Sequence, residues 1–238
     1  MAFLVLFALV YLLIFLRSFL CPQHPHVLNV YFGVPGSGKT TFAAYLTKWA
    51  LHENALIRFC RKHQNFLTRP ILNSKYLKRR IDVYSNVPIT GAYQLDPKMD
   101  IGRFMIENAK VIIDEAGIEY NNRNYKSFSQ EAIYFYKYHR HYRVSVDVFS
   151  QSYEDMDITL RRLAQNFYVV RRSLVPFCVV ARRIRRKVGI DEHTKQITDL
   201  YSMGMPVLDT KRIFSPPLWK LFNSYSRKEL PKKDWPIW

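Results

Sequence analysis

Short apolar runs alternate along the chain with longer segments whose apolar side chains recur every three or four residues. The compact runs at 27–32, 111–115 and 144–149 are typical of buried strands. The spacing at 41–51 and 128–142 predicts helices between them. Strands that alternate with helices predict a three-layer α/β fold, in which a mostly parallel central sheet carries helices on both faces.

The remaining segments give less regular patterns. Residues 81–87 form a further predicted strand, and the runs at 167–170 and 177–180 predict a hairpin. A largely apolar run at 55–60, interrupted by Arg58, predicts the start of another strand. The last part of the chain, 190–238, is polar and rich in proline, which predicts an extended tail that packs on the domain or on a partner.

The chain opens on an apolar segment that is long enough to cross a bilayer. Residues 2–16 are all apolar or Tyr, and only Arg17 and Ser18 interrupt the segment before Cys21. It has neither the cleavage site of a signal peptide nor the polar face of a core helix, so we predict a membrane anchor. Since the basic clusters follow the anchor, the positive-inside rule places the rest of the chain in the cytoplasm. The predicted division is an anchor at 1–21, a linker at 22–26, the α/β domain at 27–189 and a C-terminal extension at 190–238.

Charge and cysteine usage narrow the setting. The chain carries 36 Lys and Arg against 19 Asp and Glu, a formal net charge of +17. Such an excess predicts a polyanionic partner, either nucleic acid or an anionic membrane face. The cysteines at 21, 60 and 178 are odd in number and lack the C-x-x-C spacing, which disfavours a metal site or a disulfide framework.

The segment from Gly33 to Thr40 matches the phosphate-binding loop, or Walker A, pattern G-x-x-x-x-G-K-[ST]. It lies between a predicted strand and a predicted helix, as this loop requires. Glycines let backbone N–H groups curl around phosphate oxygens, and the following helix presents the positive end of its dipole. Lys39 is predicted to reach the β- and γ-phosphates of ATP, and the hydroxyl of Thr40 to ligate Mg²⁺. The predicted nucleotide-binding residues are Gly33, Val34, Pro35, Gly36, Ser37, Gly38, Lys39, Thr40 and Thr41.

A second motif supplies carboxylates for hydrolysis. The apolar strand at 111–113 ends in Asp114 and Glu115, the Walker B form of ATPases. Asp114 is predicted to hold Mg²⁺, and Glu115 to activate the attacking water, a role that favours an ATP hydrolase over a kinase. Gln151 follows the strand at 144–149 and is predicted to sense the γ-phosphate and position the water.

A run of arginines follows Gln151. Within 27 residues that contain no Asp or Glu lie Arg161, Arg162, Arg171, Arg172, Arg182, Arg183, Arg185, Arg186 and Lys187. We predict that Arg161 or Arg162, on a short helix, acts as an arginine finger on the nucleotide of a neighbouring subunit, which implies a homo-oligomer. The others are predicted to follow a nucleic-acid backbone or to contact anionic lipids.

These motifs together resemble the zonular occludens toxin (Zot-like) family, the ATPases that assemble filamentous phages at the inner membrane. The resemblance covers roughly residues 27–173 and rests on the loop at 33–41, Tyr84–Pro88, the Asp-Glu-Ala-Gly end of a strand at 114–117, and an Arg-His helix end that leads to Ser150-Gln151. It implies a P-loop ATPase of the additional-strand type. It also implies a membrane-bound ring in the host inner membrane, with its ATPase domain in the cytoplasm, that exports single-stranded DNA while coat or channel proteins are engaged.

Two other functions fit the same residues. A packaging ATPase that moves DNA into a capsid at a membrane needs the same hydrolytic site. A nucleotide-gated scaffold with little turnover would not need Glu115, so the presence of this carboxylate favours an enzyme.

Overall fold

The computed structural model describes residues 26–63, 79–116, 129–190, 197–205 and 208–223. The strands are β1 (Leu28–Phe32), β2 (Asp82–Ser85), β3 (Tyr93–Gln94), β4 (Ala109–Ile113), β5 (Ser145–Ser150), β6 (Asn166–Arg172), β7 (Cys178–Ile190), β8 (Ile197–Met203) and β9 (Thr210–Phe214). The helices are α1 (Lys39–Leu51), α2 (Ala55–Lys62), α3 (Gln130–Tyr138), α4 (Ile158–Leu163) and a 3₁₀ helix at Pro216–Leu221.

The strands form one mixed, mostly parallel sheet in the order β3-β2-β4-β5-β1-β6-β7-β8, with β9 also paired to β7. The six neighbouring strands β3, β2, β4, β5, β1 and β6 run parallel to one another. Strand β7 runs antiparallel to β6, β8 and β9. Strand β5 lies between β1, which leads into the Walker A loop, and β4, which carries Asp114 at its end. The order therefore contains the additional strand that separates the two motif strands.

Helices cover both faces of the sheet, because successive side chains of each buried strand point to opposite sides. On one face Tyr31 of β1 packs with Phe42 of α1 in a buried cluster. On the other face Val30 packs with Phe135 of α3 and Leu160 of α4. The mixed, mostly parallel sheet with helices on both sides confirms the fold class predicted from the sequence.

A row of buried polar side chains crosses the four central parallel strands on the α1 side. The ammonium group of Lys110 on β4 pairs with the carboxylate of Asp147 on β5. The other carboxylate oxygen of Asp147 accepts from Nδ2 of Asn29 on β1 at 2.7 Å, and Oδ1 of Asn29 accepts from Asn166 on β6 at 2.8 Å. The row thus links the strands β4, β5, β1 and β6 through side chains as well as backbone.

Two segments differ from the sequence-based picture. Residues 55–60 belong to helix α2 rather than a strand, because Asn54 caps the helix by accepting from the Leu56 amide at 2.9 Å. Its two buried residues, Ile57 and Cys60, stand three positions apart, the helical spacing.

The C-terminal region also adds to the sheet. The predicted boundary after residue 189 falls inside β7, and β8 and β9 both pair with that strand. The following 3₁₀ helix buries Leu218, and the carbonyl of Leu221 accepts from the amide of Thr90 at 2.8 Å. The described part of this region therefore packs on the α/β domain.

The predicted anchor at 1–21 lies outside the described residues, and so does the predicted linker at 22–26 except for its last residue. Among the helices that the structure describes, none is both long and apolar enough to cross a membrane.

Candidate active site

The Walker A loop joins β1 to α1 at the carboxyl edge of the sheet. Gly36 and Gly38 have φ angles of 75° and 95°, in the left-handed region that glycine adopts without strain. A Cβ atom at Gly38 would lie 2.5 Å from a methyl group of Val179, so strand β7 leaves no room for a side chain there. The amide of Gly33 donates to the carbonyl of Ser150 at 3.2 Å, which fixes the start of the loop against β5.

The loop holds a buried cation at its centre. Nζ of Lys39 donates to the carbonyl oxygens of Gly33 and Val34, at 2.6 and 3.1 Å. Burial lowers the pKa of Lys39, although the nearby carboxylates of Asp114 and Glu115 oppose this effect. The hydroxyl of Ser37 is buried, and no described residue offers it a hydrogen-bond partner. An unpaired hydroxyl and a buried ammonium group in the same glycine-containing loop fit a phosphate.

A hydrogen bond connects the two motifs. Oγ1 of Thr40, in the first turn of α1, donates to Oδ2 of Asp114 at 2.8 Å. Burial raises the pKa of Asp114, while the hydrogen bonds from Thr40 and the Glu115 amide and the charge of Lys39 lower it. A hydroxyl and a carboxylate at this spacing are the oxygen ligands that Mg²⁺ takes beside phosphate groups, so the residues present fit the predicted metal.

The structure brings the other predicted catalytic residues to the same edge. Glu115 is exposed directly after Asp114 and has a φ angle of 53°. Gln151 is exposed directly after β5, the strand between β4 and β1. Because the carboxyl ends of parallel strands share one edge, Glu115 and Gln151 lie on the side of the loop that faces β4 and β5.

The two candidate finger arginines differ in their surroundings. The guanidinium of Arg161 lies over the ring of Tyr153, with 5.0 Å between its Cζ atom and the ring centroid, and its Nε is buried. Arg162, the next residue on α4, is exposed. Of the pair, Arg162 is the more accessible to a neighbouring subunit.

Other arginines of the basic run make contacts within the chain. Nε of Arg172 donates to the carbonyl of Gly36 at 2.8 Å, which places this side chain against the Walker A loop. Arg182 donates to the carbonyl of Gly204, and Arg185 pairs with Asp209 at 2.7 Å. The contact of Arg172 was not predicted, since a charged residue at the end of a strand gives no sequence signal for a loop far away in the chain.

Asn86 is a further residue of the site that sequence reasoning left without a role. It follows β2, and its side chain forms two hydrogen bonds with the backbone of Asp114, at 2.8 and 2.9 Å. The only sequence signal was its place in the Tyr84–Pro88 motif.

The sheet order and the Walker A loop define a P-loop NTPase fold. Neither a family model nor a curated protein matches the sequence. Among solved structures, the N-terminal domain of zonular occludens toxin from Neisseria meningitidis matches with a TM-score of 0.50 at 16% identity, over 84% of this chain and 100% of that chain. This similarity confirms, at the level of the fold, the resemblance predicted from the motifs.

Two more distant structures also match. The genome packaging NTPase B204 from Sulfolobus turreted icosahedral virus 2, in complex with ATP-gammaS, has a TM-score of 0.38 at 12% identity, over 74% of this chain and 98% of that chain. The RadB recombinase has a TM-score of 0.39 at 15% identity, over 71% of this chain and 85% of that chain.

Proposed function

We propose that this protein is an ATP hydrolase of the P-loop class. The observation that carries the proposal is the hydrogen bond between Thr40 and Asp114, which joins the two motifs beside the buried ammonium group of Lys39. A loop that only bound phosphate would not need a carboxylate at this point, nor a second carboxylate, Glu115, directly after it.

Each residue has a distinct task in this proposal. Lys39 and the loop amides bind the phosphates, and Thr40 with Asp114 holds Mg²⁺, which neutralises charge on the phosphate oxygens. Glu115 accepts a proton from the attacking water, which Gln151 helps to orient. Arg162 or Arg161 of a neighbouring subunit stabilises negative charge on the transferred phosphate in the assembled oligomer.

We further propose that hydrolysis drives single-stranded phage DNA outward through the host inner membrane. The shared fold of the Zot domain and the net charge of +17 support a motor that acts on a polyanion. In this proposal residues 1–21 anchor a ring on the membrane, its ATPase domains face the cytoplasm, and phage coat or channel proteins are its partners.

Removing residues 1–21 should release the protein from the membrane fraction, and full-length protein in the soluble fraction would contradict the anchor.

The proposed hydrolase is tested by measuring ATP turnover of the full-length chain, with and without single-stranded DNA, beside Glu115→Gln. We expect turnover that DNA stimulates and that the variant loses. Turnover indifferent to DNA would contradict the DNA motor and leave the hydrolase intact. An assembled, membrane-bound oligomer without turnover would contradict the hydrolase.

Mixing inactive subunits tests the arginine finger. Arg162→Ala and Lys39→Ala should each be inactive alone. In a mixed oligomer, a Lys39→Ala subunit would supply its intact arginine to the intact loop of an Arg162→Ala neighbour, so partial turnover should return. The same mixture with Arg161→Ala serves as the comparison, and no recovery in either mixture would contradict a finger on α4.

A further inference from the structure

The side chain of Asn86 forms two hydrogen bonds with the backbone of Asp114, the residue before the proposed catalytic carboxylate of Glu115. Its Nδ2 donates to the carbonyl of Asp114 at 2.9 Å, and its Oδ1 accepts from the amide of Asp114 at 2.8 Å. We propose that Asn86 is a positioning residue, which holds the two peptide groups around Asp114 so that Glu115 is aimed at the attacking water. This inference rests on the proposed hydrolase function.

These hydrogen bonds are needed because the pairing of β2 with β4 ends before Asp114. The last residue pair between β2 and β4 is Ser85 with Ile112, and β4 stops at Ile113. Beyond this point the backbone of Asp114 has no strand partner on the β2 side, and an unpaired buried peptide group is costly. The side-chain amide of Asn86 presents an N–H donor and a C=O acceptor side by side, as a neighbouring strand would, and so extends the ladder by one residue.

The conformation of Glu115 makes this contact more important. Its φ angle of 53° lies in the left-handed region, which is strained for a residue with a side chain. Glu115 stands between Asp114, which Asn86 holds, and Ala116, which is fully buried. Without the two hydrogen bonds from Asn86, the strained backbone at Glu115 is free to relax, and the carboxylate of Glu115 moves with it.

Two substitutions separate the donor from the acceptor. Asn86→Ala removes both hydrogen bonds. Asn86→Asp keeps an oxygen for the Asp114 amide but loses the N–H group that faces the Asp114 carbonyl. Asn54→Ala is the matched control, because it also removes an asparagine that accepts from a backbone amide, at the start of α2 and outside the Walker motifs.

The first measurement is steady-state ATP hydrolysis by the full-length chain. We expect both Asn86 variants to lower kcat by about tenfold to a hundredfold, since a small displacement of a catalytic group has this effect. KM for ATP should stay within about threefold of wild type, because the phosphate loop is untouched. Asn54→Ala should lower the thermal midpoint without changing kcat. An unchanged kcat in Asn86→Ala, or a KM that rises in step with the loss of kcat, would overturn the inference.

The second measurement does not depend on turnover. Hydrogen exchange of the peptide that covers 109–116 should speed up in Asn86→Ala, because the Asp114 amide loses its acceptor, and should not change in Asn54→Ala. Equal exchange in the wild type and Asn86→Ala would show that Asn86 does not accept from the Asp114 amide in solution. If the wild-type chain proves inactive, the hydrolase proposal fails, and this exchange experiment still decides whether Asn86 holds Asp114.

Discussion

Replacing Lys110 by Met would leave the carboxylate of Asp147 without its cation in the centre of the sheet. The side chain of Lys110 is 5% exposed and that of Asp147 is 0% exposed, so water cannot take over the role of the ammonium group. Breaking a buried ion pair from one side costs about 3–5 kcal/mol. Domains of this size are stable by about 5–15 kcal/mol, so Lys110→Met should remove a large part of the free energy of unfolding.

A double variant separates charge from shape. Lys110→Met with Asp147→Asn removes both charges but keeps an oxygen at position 147 that accepts from Asn29. It should regain most of the stability lost in the single variant, because the buried charge is gone. Urea unfolding of the full-length chain measures all three free energies. A loss of less than about 1 kcal/mol in Lys110→Met, or a double variant no more stable than the single one, would refute the reasoning.

Three further predictions concern the phosphate loop and its metal. Lys39→Ala should abolish ATP binding in a direct titration, whereas replacing the exposed Lys48 on the same helix by Ala should not; equal binding by both variants would contradict the loop assignment. Gly38→Ala should weaken both folding and ATP binding, because its φ angle is 95° and its Cβ would meet Val179; calorimetry that matches wild type would argue against this packing. Because burial raises the pKa of Asp114, Mg²⁺-dependent ATP binding should weaken as pH falls from about 8 to about 5 and protonates this ligand; a flat profile would contradict Asp114 as a ligand.

The sequence was most informative where the physical signal is local. Strand β1, the loop and α1 follow one another without a gap, and the loop needs glycine, lysine and threonine at fixed positions. The strand before Asp114 is a short apolar run because it is buried on both faces, so its pattern is also local. Helix α2 was missed because a short, largely apolar run such as 55–60 fits a strand as well as a helix. The structure shows a helix, which Asn54 caps.

Contacts between distant parts of the chain were beyond sequence reasoning. The pairing of β7 with β8 and β9 was not predicted, because polar residues such as Asp199 and Lys211 interrupt the apolar pattern of the partner strands. The hydrogen bonds between Asn86 and Asp114 join residues 28 positions apart, and the contact of Arg172 with Gly36 joins residues 136 positions apart. Such contacts are set by the order of strands in the sheet, which a single sequence does not reveal.

Strands β6 and β7 pack against the phosphate loop, and this packing has a consequence for the order in which the site forms during biosynthesis. The loop is among the first parts of the domain to leave the ribosome, but Val179 beneath Gly38 and Arg172 beside Gly36 come much later. The contact between Leu221 and Thr90, which ties the 3₁₀ helix to the segment after β2, comes later still. During synthesis the loop residues therefore precede the residues that pack against them, and the site is completed only after residues 172–179 have been made.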